Sequence, residues 1–329
     1  MEIMGARRNQ TLIIKFSGGL TAQMLALMSA IYLSKKLNRP FKMRYFPYST
    51  GTYWPLGIGP LLEDSELEGI RETRGISYSV TLNPGDYIAD FPLRRKGLSY
   101  EGLLQVIHKL HLDAALRWLR SEYVIGGKIS RLRSVPSRAT SISGNFPPIL
   151  DDIVMSELSR RVNRAQLPNP FEAKRLDKSV VIHYRLGDMR KMPSRNVEYG
   201  GHGVVDPAVF KEIVESNKIE LQDSCIKVVS DEPRIATKLL EEVGFKDVED
   251  LSTGNVWRDL ETIASANIFI GSSSQFSAFG AILCAKNGGL VILPASNYGV
   301  GVSKSDMGVE EFSFFNYRYL KANHWIFEA

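Results

Sequence analysis

"VVIHYRLGDMR", Val180–Arg190, is the stretch on which the fold turns. Its β-branched start reads as a buried strand, yet it ends in His183, Arg185 and, behind Gly187, Asp188. Strands that carry polar groups only at their carboxyl ends suit parallel sheets, where ligands bind outside those ends. The same grammar recurs in "TLIIKF" (11–16), "IKVVSD" (226–231), "NIFIGSS" (267–273) and "GLVILP" (289–294). Apolar residues at helical spacing fill "TAQMLALMSAIYLSKKLN" (21–38), halted by Pro40, and then "EPRIATKLLEEVG" (232–244) and "VWRDLETIASA" (256–266). Strands alternating with helices predict an α/β fold on a parallel sheet covered on both faces.

A chain of 329 residues exceeds one ordinary core and predicts two domains. Between 40 and 170 the pattern loosens into aromatic and Pro/Gly-rich loops ("YFPYSTGTYWPLGIGP", 45–60) and a helical stretch at 102–124. Polar residues and two prolines in "RAQLPNPFEAKRLDKS" (164–179) precede the strongest strand, which places the boundary there and divides the chain into 1–170 and 171–329. No internal repeat or low-complexity tract interrupts it.

The formal net charge of +5 suits an anionic ligand or an acidic membrane surface and is too small and dispersed to call for nucleic acid. Cys225 and Cys284 sit in apolar runs without metal-like or redox spacing and read as buried thiols, which favours a reducing compartment. No stretch approaches the roughly 20 apolar residues that span a bilayer. The apolar run near the N-terminus is too short for a signal peptide, so the expected location is cytoplasmic, at most membrane-peripheral.

Position alone leaves Arg185 two readings. It could hold a phosphate by bidentate hydrogen bonds, with Gly187 letting the backbone approach closely, or it could form an Arg–Asp pair that caps the strand. Read together, His183, Arg185, Gly187 and Asp188 spell H-Y-R-L-G-D. This resembles the H-x-R-x-G-D signature of the fucosyltransferase superfamily that makes α1,2, α1,6 and protein O-fucose linkages. Four further segments resemble that family in order: "FSGGLTAQMLALMSA" (16–30), "GHGVVDPAVFKEIV" (201–214), "VVSDEP" (228–233) and "ANIFIGSSSQFSAFGAIL" (266–283). The bacterial α1,2 enzymes (glycosyltransferase family 11-like) are the nearest branch in this reading.

The resemblance implies a GT-B architecture of two facing Rossmann-like domains, the N-terminal one on the acceptor side and the C-terminal one holding GDP-fucose. By position, Arg185 would bind the β-phosphate and His183 would shape the same pocket. Asp231 would lie near the guanosine, and Ser273, Ser274 and Gln275 would face the diphosphate. Gly18, Gly19 and Gln23 would line the N-terminal wall of the cleft at a helix start, which suits negative charge. Inverting transfer needs charge stabilised on the leaving diphosphate, which a fixed arginine can supply, and no Asp-x-Asp triplet occurs. The expectation is therefore a metal-independent glycosyltransferase without cofactor, acting between a nucleotide-sugar donor and a hydroxyl of a surface-glycan precursor.

The departures from the family lie where donor and acceptor would meet. Thr21-Ala22 replaces Gly-Asn, two tryptophans of the last motif are absent, "SSQ" is closer to the α1,6 branch, and Glu232 is the third residue of the acidic motif. They leave open the linkage, a different nucleotide sugar, and a catalytically inactive nucleotide- or glycan-binding relative.

Asp188, His202, Asp206, Asp151 and Asp152 are all available as general base, each with a plainer structural reading; His202, between glycines, is the first to test. His108 and His111 could share a helix face, but without a third ligand they read as a surface pair. The basic, aromatic segment 116–134 could rest on an anionic membrane carrying a lipid-linked acceptor, or be a solvated helix face. Neither G-x-G-x-x-G nor G-x-x-x-x-G-K-[ST] is present, which removes the commonest NAD and ATP sites.

Overall fold

The computed structural model describes residues 10–16, 19–45, 58–68, 122–126, 129–137, 139–147, 149, 151–176, 178–187, 203–217, 219, 226–294, 312–315 and 317–320. The chain divides into two compact units, Met1–Ile149 and Leu150–Ala329, and each carries a parallel sheet in an α/β arrangement.

In the first unit β1 (Leu12–Phe16) runs into α1 (Leu20–Leu37), as the glycine turn predicts. Around β1 lie β2 (Phe41–Tyr45), β3 (Leu67–Glu68), β4 (Glu122–Gly126) and β5 (Ser141–Asn145), in the order β3-β2-β1-β5-β4. A short helix α2 (Ile129–Arg133) connects the last two. Leu12 and Ile14 of β1 and Met24, Leu27 and Met28 of α1 are fully buried and form the core. α1 ends as its sequence dictates: Asn38 takes the left-handed conformation (φ 49°), a common helix stop, two residues before Pro40. Buried Arg39 then donates from Nε to the Gln10 carbonyl and from Nη1 to those of Ser137 and Ala139, tying the helix exit to the entries of β1 and β5.

The helical stretch expected at 102–124 lies outside the described residues except for its last three, which open β4. His108, His111 and Cys225 also lie outside them.

The second unit begins with α3 (Asp152–Arg164), which Asp151 caps by accepting from the N–H groups of Ile153 and Val154. Its strands are β6 (Val180–Tyr184), β7 (Ile226–Ser230), β8 (Val248–Asp250), β9 (Ile268–Gly271), β10 (Leu290–Pro294) and β11 (Phe312–Phe315). Between them lie α4 (Pro207–Ser216), α5 (Pro233–Glu242), α6 (Val256–Ala264) and α7 (Gln275–Lys286). The strand order β11-β10-β9-β6-β7-β8 is that of a Rossmann sheet: the chain builds β6, β7 and β8 outward, then returns to lay β9 on the other side of β6.

All five residues of β6 are buried, as befits the central strand of a sheet covered on both faces. α7 is buried nearly all round because small residues let it sit close. A Cβ at Gly280 would fall 2.7 Å from Cγ2 of Ile263 on α6, and one at Gly271 would fall 2.9 Å from Cβ of Ser277 on α7. Among the described residues no helix is long and apolar enough to cross a membrane.

Candidate functional site

The strand order reverses between β6 and β9, and sheets of this order take their ligands outside the carboxyl ends of the strands at that point. His183 and Arg185 arrive from β6, Ser230 and Asp231 from β7, and Ser272, Ser273 and Ser274 from β9, with Gln275 starting α7. Six of the sequence-predicted residues, His183, Arg185, Asp231, Ser273, Ser274 and Gln275, thus meet at adjacent chain ends. Asp188, His202 and Gly18 lie outside the described residues.

Arg185 is anchored at both its backbone and its side chain. Its N–H donates to Ser272 Oγ at 3.1 Å across the β6–β9 seam, and its Nη1 lies 3.0 Å from Asp231 Oδ2. The other oxygen of Asp231 accepts from the Leu186 N–H at 2.9 Å. One carboxylate therefore holds both the turn after β6 and the guanidinium. An Arg–Asp pair does form here, but across β6 and β7 through Asp231. The same carboxylate explains Gly187, since a Cβ there would lie 2.3 Å from Asp231 Oδ2. Below it, Ser230 Oγ donates to the Tyr184 carbonyl and accepts from the Glu232 N–H, locking the two strand ends together.

His183 is 3 % exposed and packs at 5.0 Å, centroid to centroid, against Phe276. Burial, with the Arg185 charge adding, depresses its pKa from 6.5 to about 3, so the ring is neutral at physiological pH. Its Nδ1 lies 2.6 Å from Ser277 Oγ and 3.4 Å from Ser272 Oγ. Ser274 caps α7 by accepting from the Ser277 N–H at 3.0 Å. The first N–H groups of a helix have no intrahelical partner and carry partial positive charge, so this end of α7 favours an anion beside the fixed Arg185 cation. Ser273 and Ser274 are buried there and Gln275 is exposed.

Sequence reasoning assigned no role to Ser230, Ser272 or Ser277, although the serine run "SSSQFS" was visible. It gave no sign of Tyr317, a half-buried residue whose hydroxyl donates to the Gly271 carbonyl at 2.6 Å and steadies the end of β9 from the far end of the sequence. Two base candidates have structural work: Asp151 caps α3, and Asp206 caps α4 by accepting from the Ala208 N–H. Asp152 is exposed and pairs with Lys286 at 3.5 Å.

The first-unit candidates are placed differently. Gly19 is the residue before α1, and a Cβ there would meet nothing within 4 Å. Gln23 is fully buried, and its Oε1 accepts from the Ile58 N–H at 3.1 Å, holding the turn that leads to Gly59–Leu61.

No family model and no curated protein matches the chain. Among solved structures it is similar to POFUT1 in its apo form, at 14% identity over 87% of this chain and 98% of that one, with a TM-score of 0.40. It is also similar to Arabidopsis thaliana FUT1 in complex with GDP, at 10% identity over 86% and 70% of the two chains, TM-score 0.43. A third is Staphylococcus aureus MnaA with UDP, at 8% identity over 94% and 85%, TM-score 0.43.

Proposed function

We propose that the second unit binds the diphosphate of a nucleotide sugar and that the chain is an inverting, metal-independent glycosyltransferase, with GDP-fucose as donor and a hydroxyl of a surface-glycan precursor as acceptor. The observation that carries the reading is the corner where Arg185, held by Asp231 and Ser272, stands at the carboxyl end of β6 with the capped start of α7 across the seam. The H-Y-R-L-G-D resemblance supports the choice of sugar.

The acceptor oxygen attacks the anomeric carbon, the bond from that carbon to the diphosphate oxygen breaks, and the nucleoside diphosphate leaves with the electron pair. Arg185 meets the charge that builds on the leaving oxygen, while a base, for which Asp188 and His202 are the candidates, takes the acceptor's proton. A cation held rigidly by a carboxylate and a strand seam needs no reorganisation as this charge appears, the condition under which such contacts matter most.

The test combines calorimetric titration of GDP, UDP and ADP, with and without EDTA, and a transfer assay with GDP-fucose. Tight binding of GDP alone, unaffected by EDTA, is expected, and Arg185→Ala should cut turnover by about 3–4 kcal/mol of transition-state stabilisation, with the fold retained. Preference for UDP would move the donor to another sugar. Binding that leaves every donor intact would make the chain a nucleotide-binding relative, and near wild-type turnover in Arg185→Ala would remove the assigned role.

A further inference from the structure

His183 has one nitrogen engaged and one not. Nδ1 faces the serine cluster, whereas Nε2 makes no hydrogen bond among the described residues, in a side chain only 3 % exposed. Nε2 is not among the fully buried side-chain atoms left without a partner, so a group that arrives from outside the fold can reach it.

The proton positions around Nδ1 follow from the serines. Ser274 Oγ accepts from the Ser277 N–H and donates its own proton to Ser277 Oγ at 3.2 Å. Ser272 Oγ accepts from the Arg185 N–H and lies 3.4 Å from Ser277 Oγ. Ser277 Oγ lies 2.6 Å from Nδ1, the shortest contact in the cluster. If Ser272 and Ser274 donate to Ser277, and Ser277 donates to Nδ1, every hydroxyl proton has an acceptor. If Nδ1 instead carried the proton, Ser277 would turn its hydroxyl to Ser272. The Ser272 proton would then have no acceptor among the described residues, and Nε2 would present a lone pair rather than a donor beside the Arg185 charge.

We infer that Ser277 is a positioning residue that fixes His183 as the Nε2–H tautomer, so that the ring presents a neutral donor beside Arg185 to an anionic oxygen of the bound diphosphate. The identity of that ligand rests on the proposed function; the tautomer does not. The low pKa agrees with this assignment, because a neutral ring has one donor only and its direction then matters.

The test is nitrogen-15 NMR of histidine-labelled full-length protein, with the His183 resonances identified by their loss in His183→Gln. The chain has five histidines, few enough for this subtraction. In the wild type without ligand, a pyridine-like Nδ1 and a pyrrole-like Nε2 are expected, and a pyrrole-like Nδ1 overturns the inference without any variant having to fold. In Ser277→Ala the two signals should move toward the average of mixed tautomers, with GDP binding weakened about tenfold, the scale of one hydrogen bond to a charged group.

Unchanged His183 signals in Ser277→Ala overturn the role of Ser277. A fixed tautomer in a protein that binds no nucleotide upholds the inference on Ser277 and its tautomer, while removing the diphosphate reading.

Discussion

Gly187→Ala should be far more damaging than a single methyl on a turn suggests. The φ of Gly187 is outside the left-handed region, so alanine fits the backbone and the obstacle is contact alone. The new Cβ would lie 2.3 Å from Asp231 Oδ2 and 3.1 Å from its Cγ. The carboxylate has no cheap escape, because Arg185 Nη1 holds one oxygen at 3.0 Å and the Leu186 N–H holds the other at 2.9 Å.

Overpacking of this kind costs about 1–3 kcal/mol. Displacing the carboxylate instead leaves a part-buried N–H unpaired, worth about 1–3 kcal/mol, and breaks a partly exposed ion pair worth at most about 1 kcal/mol. The first route costs about 1–3 and the second about 2–4 kcal/mol, so a loss of roughly 1–4 kcal/mol follows, together with a loosened Arg185.

Chemical denaturation of the wild type, Gly187→Ala, Asp231→Ala and the double variant forms the appropriate cycle. With the carboxylate gone the methyl has room, so Gly187→Ala should cost less than about 1 kcal/mol in the Asp231→Ala background. An equal cost in both backgrounds, or no cost in the wild type, would refute the argument that Asp231 is what requires the glycine.

Three further expectations concern stability and reactivity. Burial, with Arg185 adding, lowers the His183 pKa from 6.5 to about 3, so below pH 6.5 the unfolded chain binds a proton that the folded one refuses. Stability is therefore complete above pH 6.5 and falls by up to about 1.4 kcal/mol per pH unit toward pH 3. Denaturation of His183→Gln between pH 4.5 and 6.5 should show a flatter slope than the wild type, and equal slopes would contradict the assignment. Asp151→Ala removes the cap of α3 and should cost about 1 kcal/mol in the same assay, while Asp151→Ser should restore most of it. Burial pushes the Cys284 thiol up to about 12, so in a Cys225→Ser background a maleimide should label the protein only after denaturant is added, and rapid labelling of the native protein would argue against the packing of α7.

Much of the second unit was legible in the chain. The runs at 179–186, 226–231, 267–273 and 289–294 contain β6, β7, β9 and β10, and 232–244 and 256–266 contain α5 and α6. Long apolar periodicities report burial directly. β2, β5 and β8 were not anticipated: "FKMRY" and "SISGN" mix polar and small residues, and "VED" is three residues long, so their neighbours in the sheet make them strands.

The site divides in the same way. The sequence alone determined that a histidine and an arginine end a buried strand and that a run of serines ends another, because alternating strand and helix patterns are written locally. Only the tertiary structure decided that Arg185 pairs with Asp231, that Gly187 is glycine to admit that carboxylate, that Gln23 is buried against Ile58, and that Ser277 sits on His183. These contacts join residues from 35 to 94 positions apart. They follow from which strands lie side by side, and strand order is set by the packing of the whole unit, which no local pattern records.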